Sequence, residues 1–316
     1  MSCSAIFVFP GQGSQHLNML SKGRIYDSAL SSDHSDVVNY CSDLIENDVI
    51  KLIEEGPKEL LDQTSITQPV LLLCSYLHYH EVKQKLNLNP RCMAGHSLGE
   101  YTALVAANSL SIISALKLVR KRGVLMETSP SGSMAAILGM NADLIDEICK
   151  TVSMKDNLDV QCANLNSPLQ TVISGNNEAV EEVQTLCLEN GAKRAIKLKV
   201  SIASHSSLMK PITNEFSKHL NEINFSLPEV PLYHNTTCST AQSVDELKDS
   251  LAQQLHLPVR WVDTCNKIML YDHKYPIIEC GPGKVLTGLC KANNLPHTYL
   301  SSSDVDFYEK MNKYGK

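Results

Sequence analysis

The stretch Gly95-His96-Ser97-Leu98-Gly99-Glu100-Tyr101 places a serine between two glycines, directly after the short apolar segment Arg91-Cys92-Met93-Ala94. This pattern is typical of a nucleophile elbow, in which a β-strand turns sharply into an α-helix and holds the serine in a strained conformation. The alternative is a chance Gly-x-Ser-x-Gly in an ordinary turn. Because the residues from Leu98 to Ala107 have a helical pattern, the elbow is favoured, and it predicts an α/β fold with a parallel-sheet core.

Composition limits the class of protein. The chain has 316 residues, of which 43% are hydrophobic and 20% charged, as in ordinary globular proteins. A net charge of −6 gives no general attraction to nucleic acid or to an anionic membrane, so neither is an expected partner. The eleven cysteines include no Cys-x-x-Cys pair, which argues against a metal site and for reduced, buried thiols. The first fifteen residues carry no Lys or Arg, and no apolar run reaches the ~20 residues of a membrane helix, so we expect a cytoplasmic protein.

The first glycine loop follows a predicted buried strand. Ala5 to Phe9 are apolar and are followed by Pro10-Gly11-Gln12-Gly13-Ser14-Gln15. His16 stands where a dinucleotide-binding motif has its third glycine, so that function is excluded. Two interpretations remain: a loop whose backbone N–H groups face an anion or an oxyanion, and an ordinary turn.

A helix is predicted from a cap at Ser109 or Ser111 to about Met126. At about 100° per residue, Arg122 falls within the apolar arc of this helix, and Lys117, Arg120 and Lys121 fall opposite. A buried arginine is costly unless it meets an anion. It therefore forms a structural salt bridge, extends to solvent from the helix end, or clamps the carboxylate of a ligand.

The pattern changes after the turn-rich segment 127–133. The predicted order is strand, helix, two strands, helix, strand, which is a ferredoxin-like unit. We therefore expect a ferredoxin-like small domain at 131–200, inserted into an α/β-hydrolase-like large domain formed by 1–130 and 201–316. The elements of the small domain are Met134–Leu138, Ala142–Val152, Leu158–Ala163, Thr171–Ser174, Glu178–Asn190 and Ala195–Val200.

Other elements follow from periodicity and turn signals. Helices are expected at Asp36–Ile53, Pro69–Leu86 and Val244–Leu257, and strands near Leu232-Tyr233 and at Pro276–Ile278. The tail after Pro296 shows no clear pattern. Lys197 and Lys199 give one strand a basic face, which is either merely solvated or a docking surface for an acidic partner.

Three features besides the elbow serine suggest acyl transfer through a serine ester: the first glycine loop, Arg122 on the apolar arc, and His205 in a loop of small residues. Without the other features, a structural role for His205 would be favoured, because most of the eleven histidines must be structural or surface groups. In α/β-hydrolases the histidine lies near the C-terminus, whereas about a hundred residues follow His205, and no acidic residue identifies itself as its orienter. A serine esterase or thioesterase and a non-enzymatic scaffold are the alternatives to a transferase.

The sequence also resembles the malonyl-CoA:acyl carrier protein transacylases and the related acyltransferase domains of fatty acid and polyketide synthases. The resemblance extends from Phe7 to about Leu289. It rests on Phe9–Gln15, Gly95–Tyr101, Arg122-Gly123, Asn164–Pro168, Ser204–Met209, Gln254-Leu255 with Pro258-Val259, and Gly281–Leu286.

The resemblance implies a role for each matching residue. Ser97 would be the nucleophile and His205 its base, with the backbone N–H groups of Gln12 and Leu98 as the oxyanion hole. Arg122 would bind the malonyl carboxylate, and Gln254 would orient His205 through its backbone carbonyl. The pocket residues implied by the family are Gln63, His96, Met126 and Asn166.

The resemblance further implies transfer of malonyl from malonyl-CoA to the phosphopantetheine of acyl carrier protein, by a monomer without metal or other cofactor. Ala203-Ser204-His205 departs from the expected pattern, because in polyketide relatives it accompanies a preference for methylmalonyl. Stand-alone transacylases with Ser-His at this point mostly use malonyl, so malonyl is the predicted substrate.

Overall fold

The computed structural model describes residues 4–155 and 158–314. Its strands are β1 (Ser4–Phe9), β2 (Asn89–Gly95), β3 (Ser133–Leu138), β4 (Val160–Ser167), β5 (Gln170–Gly175), β6 (Arg194–Lys197), β7 (Leu232–Tyr233), β8 (Ile277–Glu279) and β9 (Tyr299–Ser301). Its helices are α1 (Met19–Lys22), α2 (Tyr26–Ala29), α3 (Ser35–Ile45), α4 (Val49–Glu55), α5 (Lys58–Leu61), α6 (Thr64–Leu86), α7 (Gly99–Ala106), α8 (Ile112–Glu127), α9 (Ala142–Ser153), α10 (Asn177–Glu189), α11 (Lys210–Asn221), α12 (Val244–Gln253), α13 (Trp261–Ile268), α14 (Val285–Ala292) and α15 (Phe307–Tyr314).

A parallel sheet carries the residues of interest. Its order is β7-β2-β1-β8-β9, and each neighbouring pair is parallel, which confirms the predicted α/β class. All of β1 is buried, because helices cover both faces of such a sheet. The carboxyl ends of β1 and β2 are in register at Phe9 and Gly95. The glycine loop and the elbow therefore leave the same edge of the sheet side by side, as the backbone bond from His96 N to Phe9 O (3.0 Å) shows.

The second sheet is antiparallel, with the order β4-β5-β3-β6. Helices α9 and α10 pack against it and form a separate apolar core that includes Ile137, Ile145, Ile173 and Val183. The order of elements is the predicted one. Val259 bonds with Ala163 and Leu165 of β4 through its backbone, at 2.9 Å each, and so joins this sheet to the chain that follows α12.

The structure differs from the prediction at the first two predicted helices and at the tail. The helix expected at 36–53 is α3 and α4, because Glu46 has a φ of 55° and ends α3, and the Asp48 side chain caps α4 through Lys51 N. The helix expected from Pro69 begins at Thr64, and the proline lies inside α6. The patternless tail forms β9 and α15, where Phe307 and Met311 are buried.

The glycines of the elbow are required by close approach. A Cβ atom on Gly95 would lie 1.9 Å from the carbonyl carbon of Gly99, and one on Gly99 would lie 2.0 Å from Phe9 O. Neither contact is sterically possible without movement of the backbone. The spacing of the two glycines is therefore set by the turn between β2 and α7.

We predict that Gly95→Ala lowers the free energy of unfolding by at least about 2 kcal/mol, since the added methyl overlaps backbone that cannot move independently. Gly288→Ala is the matched control, because a Cβ atom there meets nothing within 4 Å in α14. It should raise stability by about 0.5–1 kcal/mol. Urea unfolding of both variants measures this, and equal stabilities would contradict the steric argument.

Candidate active site

Ser97 lies on the sharp turn between β2 and α7. Its φ of 51° is in the left-handed region, which a residue with a side chain occupies only under constraint. Two side chains hold its backbone: Asn235 Oδ1 accepts from Ser97 N at 2.6 Å, and Gln254 Nε2 donates to Ser97 O at 3.1 Å. The turn directs the Ser97 hydroxyl away from the sheet and toward His205.

Ser97 and His205 form a hydrogen-bonded pair. Ser97 Oγ lies 2.8 Å from His205 Nε2, and His205 Nδ1 lies 2.7 Å from the backbone carbonyl of Gln254. A carbonyl oxygen only accepts, so Nδ1 carries the proton and Nε2 is free to accept from the serine hydroxyl. This is the tautomer that a general base requires.

Gln254 stands where an acid would stand in a catalytic triad. It is the C-cap of α12, where the last carbonyl groups of a helix have no partner within the helix. The predicted helix continued to Leu257, but α12 ends at Gln253, and this earlier end exposes the carbonyl to His205. The C-terminal end of a helix also carries partial negative charge, which favours a protonated imidazole during the reaction.

The protonation state of His205 is set by its surroundings. The side chain is 2% exposed, and burial, followed by the charge of Arg122, lowers its pKa from 6.5 to about 3. Both effects disfavour the imidazolium. The neutral base is therefore present at physiological pH.

Arg122 is buried, as its position on α8 predicts, with 2% of its surface exposed. Nη1 donates to Gln68 Oε1 at 3.0 Å, and Nη2 donates to Gln254 Oε1 at 3.0 Å and to Ser97 Oγ at 3.3 Å. Among the described residues these hydrogen-bond partners are all neutral, and the Glu100 carboxylate lies on the other side of the Gln254 amide. Burial lowers its pKa, and its Nε has no partner among the described residues. The arginine is thus a desolvated cation placed next to the serine hydroxyl.

The proposed oxyanion donors are the residue after Ser97 and a residue of the loop that leaves β1 beside the elbow. Leu98 directly follows the serine and is buried, and Gln12 lies in the loop after β1, with its side chain donating to Thr64 Oγ1 at 3.1 Å. In the described part of the chain, neither backbone N–H has a protein acceptor. Both remain available to a ligand.

The predicted pocket residues do not all lie together. His96 Nε2 is 2.8 Å from Asn166 Oδ1, and Met126 Sδ accepts from Gln68 Nε2 at 3.3 Å, next to Arg122. Gln63 is instead the N-cap of α6 and lines a cleft of about 350 Å³ with Gln12.

Sequence reasoning missed Gln68, Asn235 and the role of Glu100. Gln68 directly precedes the helix predicted from Pro69 and belongs to no motif. Glu100 stood inside the elbow motif but had no partner in the sequence to indicate a role.

The remaining expectations concern the basic residues Lys197 and Lys199, the cysteines, membrane helices and metal sites. Lys197 pairs with Glu181 at 2.7 Å, and Lys199 lines the cleft beside Gln12. The ten cysteines within the described residues are free and buried, and Cys3 lies outside those residues. Residues 4–155 and 158–314 contain no helix long and apolar enough to cross a membrane and no group of three metal-ligating side chains.

Comparison with known proteins identifies the family. Residues 6–292 match the family model described as acyl transferase domain. The chain is 40% identical over 314 residues to the malonyl CoA-acyl carrier protein transacylase of Haemophilus influenzae. The alignment covers 97% of each of the two chains. The chain belongs to this family of acyl transferases.

Solved structures agree with this assignment. The malonyl CoA-acyl carrier protein transacylase of Coxiella burnetii superposes with a TM-score of 0.90 at 36% identity, covering 99% of this chain and 98% of that one. A malonyl-transacylase in complex with a type II polyketide synthase acyl-carrier protein superposes with a TM-score of 0.89 at 36% identity, covering 97% and 98%. The structural similarity extends over nearly the whole chain.

We predict that labelling of Ser97 by a fluorophosphonate keeps a level rate from about pH 8 to about pH 5, because His205 is neutral over this range. In Arg122→Met the fall of the labelling rate at acidic pH should begin at a higher pH, because Arg122 lowers the pKa of His205. Stopped-time labelling with mass spectrometry measures both profiles. A fall centred near pH 6.5 in the unaltered protein would contradict the proposed burial effect.

Proposed function

We propose that the protein transfers the malonyl group of malonyl-CoA to the phosphopantetheine thiol of acyl carrier protein, through a malonyl ester of Ser97. The observation that carries this proposal is the buried Arg122, whose Nη2 lies 3.3 Å from Ser97 Oγ without a carboxylate partner. The free carboxylate of a bound malonyl group forms the ion pair that this guanidinium lacks. Membership of the acyl transferase family and the names of the relatives support the same reaction.

In the first step, Ser97 Oγ attacks the thioester carbonyl while His205 Nε2 takes its proton. The N–H groups of Gln12 and Leu98 stabilise the oxyanion of the tetrahedral intermediate. The carbon–sulfur bond then breaks, and the imidazolium gives its proton to the departing coenzyme A thiolate. The products are the ester and free coenzyme A, and the Gln254 carbonyl holds the imidazole ring throughout.

The second step reverses the first with a different thiol. His205 removes the proton of the phosphopantetheine thiol, the thiolate attacks the ester carbonyl, and the proton returns to Ser97 Oγ as the ester breaks. The two thiols use the same site in turn, so the kinetics are ping-pong. This chemistry changes no oxidation state, so it needs no redox cofactor. His205 and the N–H groups of Gln12 and Leu98 supply the base and the oxyanion stabilisation for which other enzymes use a metal.

Arg122 selects the acyl group by charge. An acyl group without a carboxylate leaves the guanidinium buried and unpaired, and binding such a group forfeits the interaction. Gln68 and Gln254 hold the guanidinium in place with neutral oxygens, so no carboxylate pairs with it directly before the acyl group binds. We assign Met126, His96 and Asn166 to the surrounding pocket and Gln63 to the cleft that leads to it.

We further propose an α/β-hydrolase-like large domain, 1–130 and 201–316, with a ferredoxin-like small domain, 131–200, inserted into it. The strand order β4-β5-β3-β6 and the separate core around Ile137 support the inserted unit. The parallel sheet with Ser97 after β2 supports the large domain.

The proposed partners are malonyl-CoA and acyl carrier protein, for fatty acid or polyketide synthesis by a cytoplasmic monomer that binds neither nucleic acid nor membrane. The solved complex of a relative with an acyl-carrier protein supports the carrier as acceptor. A preference for methylmalonyl and a hydrolytic activity are the alternatives that the experiments below distinguish.

Incubation with malonyl-CoA should add one malonyl group to Ser97, detected by peptide mass spectrometry, and Ser97→Ala should abolish the adduct. Added holo-acyl carrier protein should discharge the adduct and gain the same mass. Release of free malonate at the rate of transfer would instead favour the hydrolase. A label on another residue would refute the mechanism.

Arg122→Ala should lower kcat/KM for malonyl transfer by at least about 100-fold, because a buried charged hydrogen bond is lost. Acetyl transfer should change far less, since acetyl has no carboxylate to lose. A steady-state assay with malonyl-, methylmalonyl- and acetyl-CoA gives the three ratios. Equal losses for malonyl and acetyl would return Arg122 to a structural role.

A further inference from the structure

Glu100 is a fully buried carboxylate directly beneath the elbow, with 0% of its surface exposed. Its Oε2 accepts from Asn235 N at 3.1 Å and from Gln254 Nε2 at 2.7 Å, and its Oε1 lies 2.7 Å from His234 Nδ1. Buried carboxylates are stable only when such donors satisfy them. The mechanism above uses none of these contacts.

The Gln254 side chain lies between two groups of opposite charge. Its Oε1 accepts from the Arg122 guanidinium at 3.0 Å, and its Nε2 donates to the Glu100 carboxylate at 2.7 Å. An amide in this position has one favourable orientation, because the reverse would set its N–H groups against Arg122 and its oxygen against Glu100. Glu100 therefore orients the Gln254 amide, and the backbone carbonyl of the same residue holds His205.

Asn235 gives Glu100 a second connection to the elbow. Its backbone N–H is held by Glu100, while its side chain accepts from Ser97 N and donates to Gly95 O, each at 2.6 Å. Together with the bond from Gln254 Nε2 to Ser97 O, this anchors both backbone polar groups of Ser97. Two of the three donors to Glu100 thus lead directly to the serine.

We propose that Glu100 is a positioning residue of the acyl transfer site, which fixes Ser97 and His205 through the side chains of Gln254 and Asn235. The expected effect of Glu100 on malonyl transfer rests on the proposed function. Its expected effect on the reactivity of Ser97 does not. A purely structural role would change the stability of the fold and leave the reactivity of Ser97 unaltered.

Glu100→Gln is the informative variant, because it keeps the shape of the side chain and removes the charge. The amide oxygen can still accept from Asn235 N and Gln254, and His234 can accept from the new NH₂ by moving its proton to Nε2, which has no partner among the described residues. The fold is therefore retained while the orientation of Gln254 weakens. We expect labelling of Ser97 by a fluorophosphonate, and malonyl transfer, to slow about 10- to 100-fold, as for small misplacements of reacting groups.

Glu279→Gln is the matched control. Glu279 is also fully buried, and its carboxyl group accepts two backbone N–H groups, from Leu286 at 3.1 Å and Thr287 at 2.8 Å. Within the described residues its side chain has no hydrogen bond to Ser97, Asn235 or Gln254. We expect its labelling rate to stay within about 2-fold of the unaltered protein, since no reacting group moves. Thermal unfolding of both variants shows that they are folded.

A double-mutant cycle with Gln254→Met tests the proposed connection. This change removes the side-chain amide and keeps the backbone carbonyl that holds His205. If Glu100 acts through Gln254, the effect of Glu100→Gln should shrink at least about 3-fold in the Gln254→Met background. An unchanged effect in both backgrounds would overturn the proposal, as would equal losses in Glu100→Gln and Glu279→Gln.

The labelling assay separates this inference from the proposed function. A protein that labels at Ser97 but does not transfer malonyl refutes the proposed function, and the labelling comparison still decides the role of Glu100. If Glu100→Gln does not fold, Gln254→Met alone replaces it. An expected loss of about 10-fold in labelling supports the connection, and an unchanged rate overturns it.

Discussion

The turn at Ser97 is the constraint on which the rest of the site depends. A chain that leaves a buried parallel strand and enters a helix at once must place one residue in the left-handed region, at a cost of about 1–2 kcal/mol for a residue with a side chain. Ser97 has a φ of 51°, and the glycines at 95 and 99 allow the backbone segments to approach. Asn235 and Gln254 hold the strained peptide groups. The serine hydroxyl is thereby fixed before any substrate binds.

Burial explains the electrostatics of the site. His205 and Arg122 are both almost inaccessible to water, and each loses solvation that its charged form would need. The imidazole responds by remaining neutral, which suits a base. The guanidinium is surrounded by amide and hydroxyl oxygens, which supply hydrogen bonds without charge. The guanidinium therefore has no directly paired carboxylate, which is the property that selects a carboxylated acyl group.

Local sequence patterns predicted most of the framework. The apolar strand before the glycine loop, the helical arc that carries Arg122, and the order of elements in the antiparallel sheet depend on neighbouring residues, so periodicity reveals them. The errors arose where contacts between residues far apart in the sequence determine where an element begins or ends. Helix α6 begins five residues before the predicted Pro69 because Glu127, 62 positions from Ser65, accepts its N–H. As a result Gln68 lies within α6, where its side chain accepts from Arg122.

The sequence by itself determined the elbow, the buried face of α8 and, through the family resemblance, which residues to expect in the site. These features are short in range or carried by motifs. Only the tertiary structure decided how they meet: Ser97 and His205 are 108 positions apart, and Arg122 and Gln254 are 132 apart. Hydrogen bonds between residues so far apart produce no periodic pattern in the sequence, so periodicity cannot reveal them. The network beneath the elbow follows the same rule, because the partners of Glu100 lie 134 and more positions away and become neighbours only when β7 and α12 pack against the elbow.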